Sequence, residues 1–190
     1  MKLNKLLALT LVTGAVVATA SHLAYAVDQD IGATAEFREA VSLASVVDMD
    51  FGTIEYSAAA ANNIDLSANA GTITCSNTTD YTCPASGTAG SANLNGTTGE
   101  TVEISCETGG AVTDNTNSLT LSNAEVRIGG ATTSCAGLGT SPATFTLTSG
   151  TDTVTVGARL EVGGSGIAAP GSYSTANTSG DPIGLRVVYQ

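Results

Sequence analysis

Apolar and polar residues alternate along several segments of this chain, and the period is two residues rather than three or four. The longest example has five apolar residues at every second position: Val154, Val156, Ala158, Leu160 and Val162. Shorter examples are Val102, Ile104 and Cys106, and then Ala143, Phe145 and Leu147. A period of two predicts β-strands with one buried and one exposed face, as in an antiparallel sheet.

Turn-forming dipeptides separate these segments, among them Asn95-Gly96, Gly129-Gly130, Gly163-Gly164 and Pro170-Gly171. Many short strands separated by such turns favour a β-sandwich. The stretch from Asn77 to Asn95 is polar and Gly-rich, and it predicts a long surface loop. We therefore expect an all-β chain with one Ig-like antiparallel β-sandwich domain.

The first residues carry a different pattern. Lys2 and Lys5 precede an apolar run from Leu6 to Ala20, and Ala24-Tyr25-Ala26 supplies small residues around a cleavage point. This pattern predicts a cleaved secretory signal peptide over residues 1–26, and the run is too short for a membrane anchor. We expect an exported protein with an N-terminal extension at 27–38, a β-sandwich domain at 39–190 and no membrane insertion.

Cleavage at residue 26 changes the chemistry that the chain can perform. All the lysines and the one histidine precede this point, so four arginines then oppose all 17 Asp and Glu. Such an acidic surface excludes nucleic acid and anionic lipid as partners, because both require a basic surface. Without His, the commonest general base and the usual catalytic triads are missing, so we predict no enzyme, no catalytic residues and no cofactor.

Four cysteines follow the predicted cleavage point: Cys75, Cys83, Cys106 and Cys135. An oxidising compartment favours their pairing, and four cysteines allow three connectivities. We favour the two local pairs, Cys75 with Cys83 and Cys106 with Cys135. A metal site is disfavoured, because the exported part has neither a Cys-x-x-Cys pair nor a histidine.

The N-terminal extension shows the same two-residue alternation of apolar and polar residues and is a further candidate strand. Its apolar residues are Ile31, Ala33, Ala35 and Phe37, and a further apolar series runs from Val41 to Phe51. Together these exceed the usual length of one strand. One interpretation is a donor strand that inserts into a neighbouring copy and extends its sheet. The alternative is an ordinary first strand followed by a bend, and the residues favour neither.

The C-terminal residues Ile183, Leu185, Val187 and Tyr189 also alternate, and they predict a closing strand. A terminal strand with a penultimate aromatic residue is similar to the strand that chaperone-assisted pilins present to their periplasmic chaperone. An ordinary edge strand explains the same residues.

Two groups of motifs stand out along the chain. The first is Asp48-Met49-Asp50-Phe51-Gly52-Thr53-Ile54. The second comprises the strand from Val156 to Gly163, the turn Ala169-Pro170-Gly171-Ser172-Tyr173 and the ending Leu185-Arg186-Val187-Val188-Tyr189. Together they resemble a bacterial family of exported domains of unknown function that are similar to fimbrial subunits and to spore coat protein U-like domains. The resemblance implies an Ig-like, pilin-like sandwich with an assembly or adhesion role, and it implies no catalytic residues.

Two functions follow as hypotheses. The first is a structural subunit of an extracellular fimbria or pilus, assembled head to tail by strand donation and active in adhesion or biofilm formation. Its partners are copies of itself, with a periplasmic chaperone and an outer-membrane usher as further candidates. The alternative is a monomeric secreted surface or matrix protein that binds carbohydrate or Ca²⁺, the latter through Asp28, Asp30, Asp48 and Asp50.

Overall fold

A computed structural model describes residues 34–135, 137, 142–164 and 170–190. The predicted signal peptide, Ile31 and Ala33 lie outside the described residues. One compact unit runs from Phe37 to Gln190. The described residues form strands and no helix: β1 (Ser42–Val47), β2 (Glu55–Tyr56), β3 (Asn62–Leu66), β4 (Ile73–Cys75), β5 (Tyr81–Thr82), β6 (Gly90–Asn95), β7 (Thr101–Cys106), β8 (Gly110–Thr113), β9 (Ser118–Ile128), β10 (Ala131–Ser134), β11 (Ala143–Thr146), β12 (Thr151–Val162) and β13 (Leu185–Tyr189).

The large sheet is built around β12. On one side, the first part of β12 pairs with β6 and the second part pairs with β3. On the other side it pairs with the long strand β9. β1 extends the sheet beyond β6, β4 extends it beyond β3, and both β8 and β10 pair with β9. All these pairings are antiparallel, as the two-residue alternation predicts.

A second sheet contains three strands in the order β11, β7, β13, also antiparallel. A small third sheet pairs β2 with β5. The large and the three-stranded sheets enclose a core between them, which makes the fold sandwich-like and confirms the all-β prediction.

The core has two parts that differ in their cover. In the closed half, the three-stranded sheet supplies Val102, Ile104 and Cys106, which pack against Leu94 and Val154 of the large sheet. In the open half, residues of β3, β9 and β12 pack against irregular segments and the β2–β5 pair instead of a full sheet.

Two disulfides join Cys75 to Cys83 and Cys106 to Cys135, the pairing that the sequence favours. Their Cα separations of 6.4 and 5.1 Å fit ordinary bridge geometry. The first closes a short loop beside the open half, and the second links β7 to the residue after β10. Each bridge therefore fastens an outer segment to one half of the core.

The structure corrects two details of the predicted strands. Asn77 to Asn95 is not one loop, because it contains β5 and the inner strand β6. The apolar alternation of β1 also breaks, because Ser45 has a φ of 52° and the pairing with β6 shifts between Ala44 and Val47. This bulge leaves Val46 71% and Val47 48% exposed, whereas Leu43 packs on the closed half.

Candidate functional site

The C-terminal strand β13 has an unpaired edge. It pairs with β7 on one side, and among the described residues no strand pairs with its other side. The Glu107 amide donates to the Gly184 carbonyl at 2.9 Å and the Gln190 amide donates to the Thr101 carbonyl at 3.0 Å, so these pairs bracket the ladder. Antiparallel ladders use every second residue on each side. The backbone N–H and C=O groups of Leu185, Val187 and Tyr189 therefore face the open edge.

An apolar groove of about 800 Å³ begins beside this edge and runs over the open half of the core. We call it the open groove. Its floor consists of side chains from β6, β9 and β12: Ala92, Leu119, Leu121, Val156 and Leu160. The apolar residues of its walls are Met49, Phe51, Ile54, Tyr173, Ile183 and Leu185.

Burial along β12 shows that the large sheet is incompletely covered at the floor of the groove. Val154, Ala158, Leu160 and Val162 are all at most 6% exposed, as expected of the inward face of a central strand. Val156 belongs to the same face, yet it is only partly buried because it faces the open groove. The interruption of burial along one strand thus marks where the three-stranded sheet ends.

One wall is held by the segment Asp48 to Gly52. The backbone of Asp50 exchanges two hydrogen bonds with Thr88, at 2.9 and 2.8 Å. The Asp50 side chain accepts a hydrogen bond from the Gly52 amide at 2.7 Å, and Gly52 has a φ of 68° that glycine adopts without strain. This turn places Met49 and Phe51 against the groove, while Asp48 and Asp50 stay exposed at its rim.

The opposite wall is held by bridges to β8. Ser174 and Thr113 exchange backbone hydrogen bonds of 2.9 and 3.1 Å, and Asp181 and Ala111 exchange bonds of 2.9 and 2.8 Å. Tyr173 directly precedes the first of these bridges and lines the groove. Side-chain and backbone hydrogen bonds from Asn117, then those from Thr116 and Tyr173, hold the pKa of Asp114 below its usual value. This wall is therefore tied to the β8–β9 turn.

The predicted C-terminal strand residues divide between the two halves of the core. Leu185, Val187 and Tyr189 lie on β13 and pack against the closed half. Ile183 precedes β13 and packs against the open half instead. The prediction of a single strand through all four residues is wrong at Ile183, because the chain crosses there from the large sheet at Asp181 to the three-stranded sheet.

Of the predicted donor residues, Ala35 and Phe37 are described, and both are exposed. Phe37 is 93% exposed, the highest value among the exposed large apolar side chains. Of the four carboxylates proposed for Ca²⁺, Asp28 and Asp30 lie outside the described residues, and Asp50 is engaged in its own turn. Within the described ranges, no three side chains of His, Cys, Asp or Glu come together in a metal-binding group.

The motifs quoted for the family resemblance all meet at the open groove. Asp48 to Ile54 forms one wall, Pro170 to Tyr173 forms part of the other, β12 contributes to the floor and β13 supplies the open edge. Sequence reasoning missed Met49, Phe51 and Tyr173 as groove residues, although the motifs that contain them were visible.

The fold and this site define a class: a disulfide-bonded β-sandwich with an unpaired sheet edge beside an apolar groove. A family model described as "Domain of unknown function (DUF4402)" matches residues 41–178, and the chain belongs to this family. Comparison with curated proteins gives no match, and comparison with solved structures gives none either. Across the described ranges no helix is long and apolar enough to span a membrane.

Proposed function

We propose that this protein is the structural subunit of an extracellular, fimbria-like filament, in which the open groove accepts a strand from the N-terminal extension of a neighbouring copy. The observation that carries the proposal is the juxtaposition of the unpaired edge of β13 with an apolar groove. An Ig-like, pilin-like sandwich lacking one strand accounts for both features.

The unpaired edge supplies the backbone part of the interaction. Leu185, Val187 and Tyr189 present N–H and C=O groups at alternate positions, which is the pattern that an added antiparallel or parallel strand requires. Each hydrogen bond contributes about 0.5–1.5 kcal/mol net. A few such bonds do not hold a filament together, so apolar burial has to supply the larger part.

The N-terminal extension has side chains that suit the groove. Ile31, Ala33, Ala35 and Phe37 alternate over seven residues, which span about 20 Å when extended. The series from Ile183 to Tyr189 along the acceptor also covers seven residues. Burying one large apolar side chain contributes about 1.5–3 kcal/mol, and Phe37 has nearly all of its surface to bury.

The donor and the acceptor are different surfaces of one chain, so the contact is heterologous. A heterologous contact that does not close into a ring gives an open filament. A filament on the bacterial surface accounts for the predicted signal peptide and for a role in adhesion or biofilm formation. The two disulfides are compatible with an exported protein.

An unpaired sheet edge beside an apolar groove is an aggregation hazard before assembly. We infer that a periplasmic chaperone occupies the groove after export. At an outer-membrane usher, the extension of the next subunit then replaces the chaperone in the groove. These partners follow from the need to protect the edge during transit.

Electron microscopy with size-exclusion chromatography of the exported protein tests the proposal. We compare the intact mature chain with a form that lacks residues 27–37. Arg38 is kept, because it forms an ion pair with Glu100 inside the compact unit. Filaments from the intact chain and monomers from the deletion support strand donation.

A matched pair of substitutions tests whether the apolar positions of the extension are needed for assembly, at equal added charge. Phe37→Asp and Thr34→Asp each add one negative charge at an exposed position of the extension. Strand donation predicts that Phe37→Asp abolishes filaments and that Thr34→Asp leaves them. Folded monomers from the intact chain and from every variant would reject the filament and leave the monomeric secreted binding protein as the better hypothesis.

A further inference from the structure

The N-terminal extension joins the domain at a cluster of contacts near the end of β13. The Tyr189 hydroxyl donates to the Glu39 carbonyl at 2.7 Å and accepts a hydrogen bond from the Thr97 amide at 2.8 Å. The Thr97 hydroxyl accepts from the Glu39 amide at 2.9 Å. Arg38 completes the cluster through a 2.8 Å ion pair with Glu100. We call these five residues the root clamp.

From these contacts we propose that the root clamp directs the extension to a neighbouring copy by preventing it from folding back into the groove of its own chain. The proposal rests on the strand-donation function proposed above. It adds a reason why the extension enters the groove of a neighbouring copy and not the groove of its own chain. Tyr189 is its central positioning residue.

The position of the clamp limits where the chain can reverse direction. The clamp lies beside Tyr189, the last residue of β13, so it closes one end of the unpaired edge. A strand added to this edge from the same chain would have to reverse close to residue 39. Both backbone polar groups of Glu39 are engaged, and the Arg38 side chain is paired. A turn at Glu39 would have to break these hydrogen bonds, and a turn at Arg38 would have to displace its ion pair.

If the chain reverses before the clamp instead, the inserted strand loses apolar contacts with the groove. Even the tightest hairpin uses two loop residues. A turn placed directly before Arg38 consumes Glu36 and Phe37, and it removes the largest apolar side chain of the extension from the inserted strand. A neighbouring copy can receive all four apolar residues, so the intact clamp favours assembly.

The neighbouring residue Gly96 gives independent support for a built site. A Cβ atom at Gly96 would lie 2.7 Å from the Tyr189 hydroxyl oxygen and 2.8 Å from the Leu147 side chain. Both distances are too short for ordinary contact, so the Tyr189 hydroxyl occupies space that only glycine leaves at this position. Gly96→Ala should displace the Tyr189 hydroxyl without changing residue 189.

The test compares clamp variants of the full mature chain by size-exclusion chromatography and electron microscopy. Tyr189→Phe removes the hydroxyl and keeps the ring, and Glu100→Gln removes the ion pair. Tyr189→Phe loses two hydrogen bonds, of which only the one to Glu39 holds the extension. Losing that one bond corresponds to about a 2- to 10-fold change in a population ratio. We expect the ratio of monomer to filament to rise by about this factor for Tyr189→Phe, and by about 2-fold for Glu100→Gln because its ion pair is partly exposed.

Glu103→Gln is the control, since it makes the same charge change on β7 at a position opposite Val188 and Thr144. It should leave the ratio unchanged. Gly96→Ala should act like Tyr189→Phe, and it keeps the test valid if the tyrosine variant fails to fold.

A labelled peptide of residues 27–38 identifies what fills the groove of the monomers. Monomers of Tyr189→Phe should bind the peptide weakly, because their own extension occupies the groove. Deleting residues 27–37 from the same variant should restore binding. Two results would overturn the clamp and leave strand donation intact. One is unchanged filament formation by Tyr189→Phe, Gly96→Ala and Glu100→Gln. The other is that Tyr189→Phe monomers bind the peptide as well as the same variant without residues 27–37 does. Absence of both filaments and peptide binding in the unsubstituted chain would overturn both proposals.

Discussion

The closed and open halves of the core use the same large sheet but differ in what covers it. Over the closed half, β7 lies within a regular three-stranded sheet, and Val102, Ile104 and Leu94 are at most 1% exposed. Over the open half, the cover consists of irregular segments, and Val156 stays partly accessible. The difference teaches that, among the described residues, a regular sheet covers only the closed half, and the open half is where the proposed donor strand would bind.

The largest expected effect separates the two halves through truncation of a core side chain. Leu94→Ala in the closed half should lower the free energy of unfolding by about 2–5 kcal/mol, because it removes a fully buried side chain and leaves a cavity. Val156→Ala in the open groove should cost less than about 1 kcal/mol in the monomer, since this side chain is already partly in water. Urea titration of monomers measures both, and equal costs would erase the distinction between the halves.

The two disulfides provide the next comparison. Replacing Cys106 and Cys135 by serine releases a loop of 29 residues, and replacing Cys75 and Cys83 releases a loop of 8. Chain entropy predicts losses of about 3.5 and about 2.5 kcal/mol. Thermal unfolding of the two double variants should therefore show the larger fall for the bridge of the closed half. The reverse order would mean that local packing outweighs loop entropy.

Proline substitutions distinguish the two sides of β13. The Val187 amide faces the unpaired edge, so Val187→Pro should cost about 1 kcal/mol in the monomer and should block an incoming strand. The Val188 amide lies in the ladder with β7, so Val188→Pro should cost about 3 kcal/mol. Unfolding curves and filament yield measure the contrast. Filaments from Val187→Pro would show that the edge is not the docking site.

The smallest expected effect concerns pH and the wall of the groove. The pKa of Asp114 is lowered in the fold, first by hydrogen bonds from Asn117. Its carboxylate therefore contributes stability above the ordinary Asp pKa of about 4, and this contribution disappears as the pH falls through the lower folded value. The difference in melting temperature between the wild type and Asp114→Asn should shrink below about pH 4. A constant difference at all pH values would exclude titration of Asp114 as its source.

Much of the fold follows from the alternation of side chains, and the exceptions have physical causes. β7 and β12 have large apolar residues at every second position, so their period is visible in the sequence. β6 was missed, although Gly90, Ala92 and Leu94 are its buried residues. Gly, Asn and, to a lesser degree, Ala have low strand propensity, and here pairing with β1 and β12 on both sides overrides that preference.

The open groove is less visible in the sequence because it depends on contacts between distant segments. Met49 and Phe51 alternate as if they continued β1, but the bulge at Ser45 and the Asp50 turn redirect them into a wall. Ile183 alternates with Leu185, yet the bridge between Asp181 and Ala111 keeps it over the open half. A period of two shows which residues share a face, and it does not show where a strand changes sheets.

The most direct measurement is amide hydrogen exchange of the domain without residues 27–37, with and without a peptide of residues 27–38. In the ladder of β13, the amides of Arg186 and Val188 donate to β7, and those of Leu185, Val187 and Tyr189 face the open edge. We predict that Arg186 and Val188 are protected in both samples and that the other three become protected when the peptide is added. Unchanged exchange at Leu185, Val187 and Tyr189 with saturating peptide would contradict strand donation at this edge.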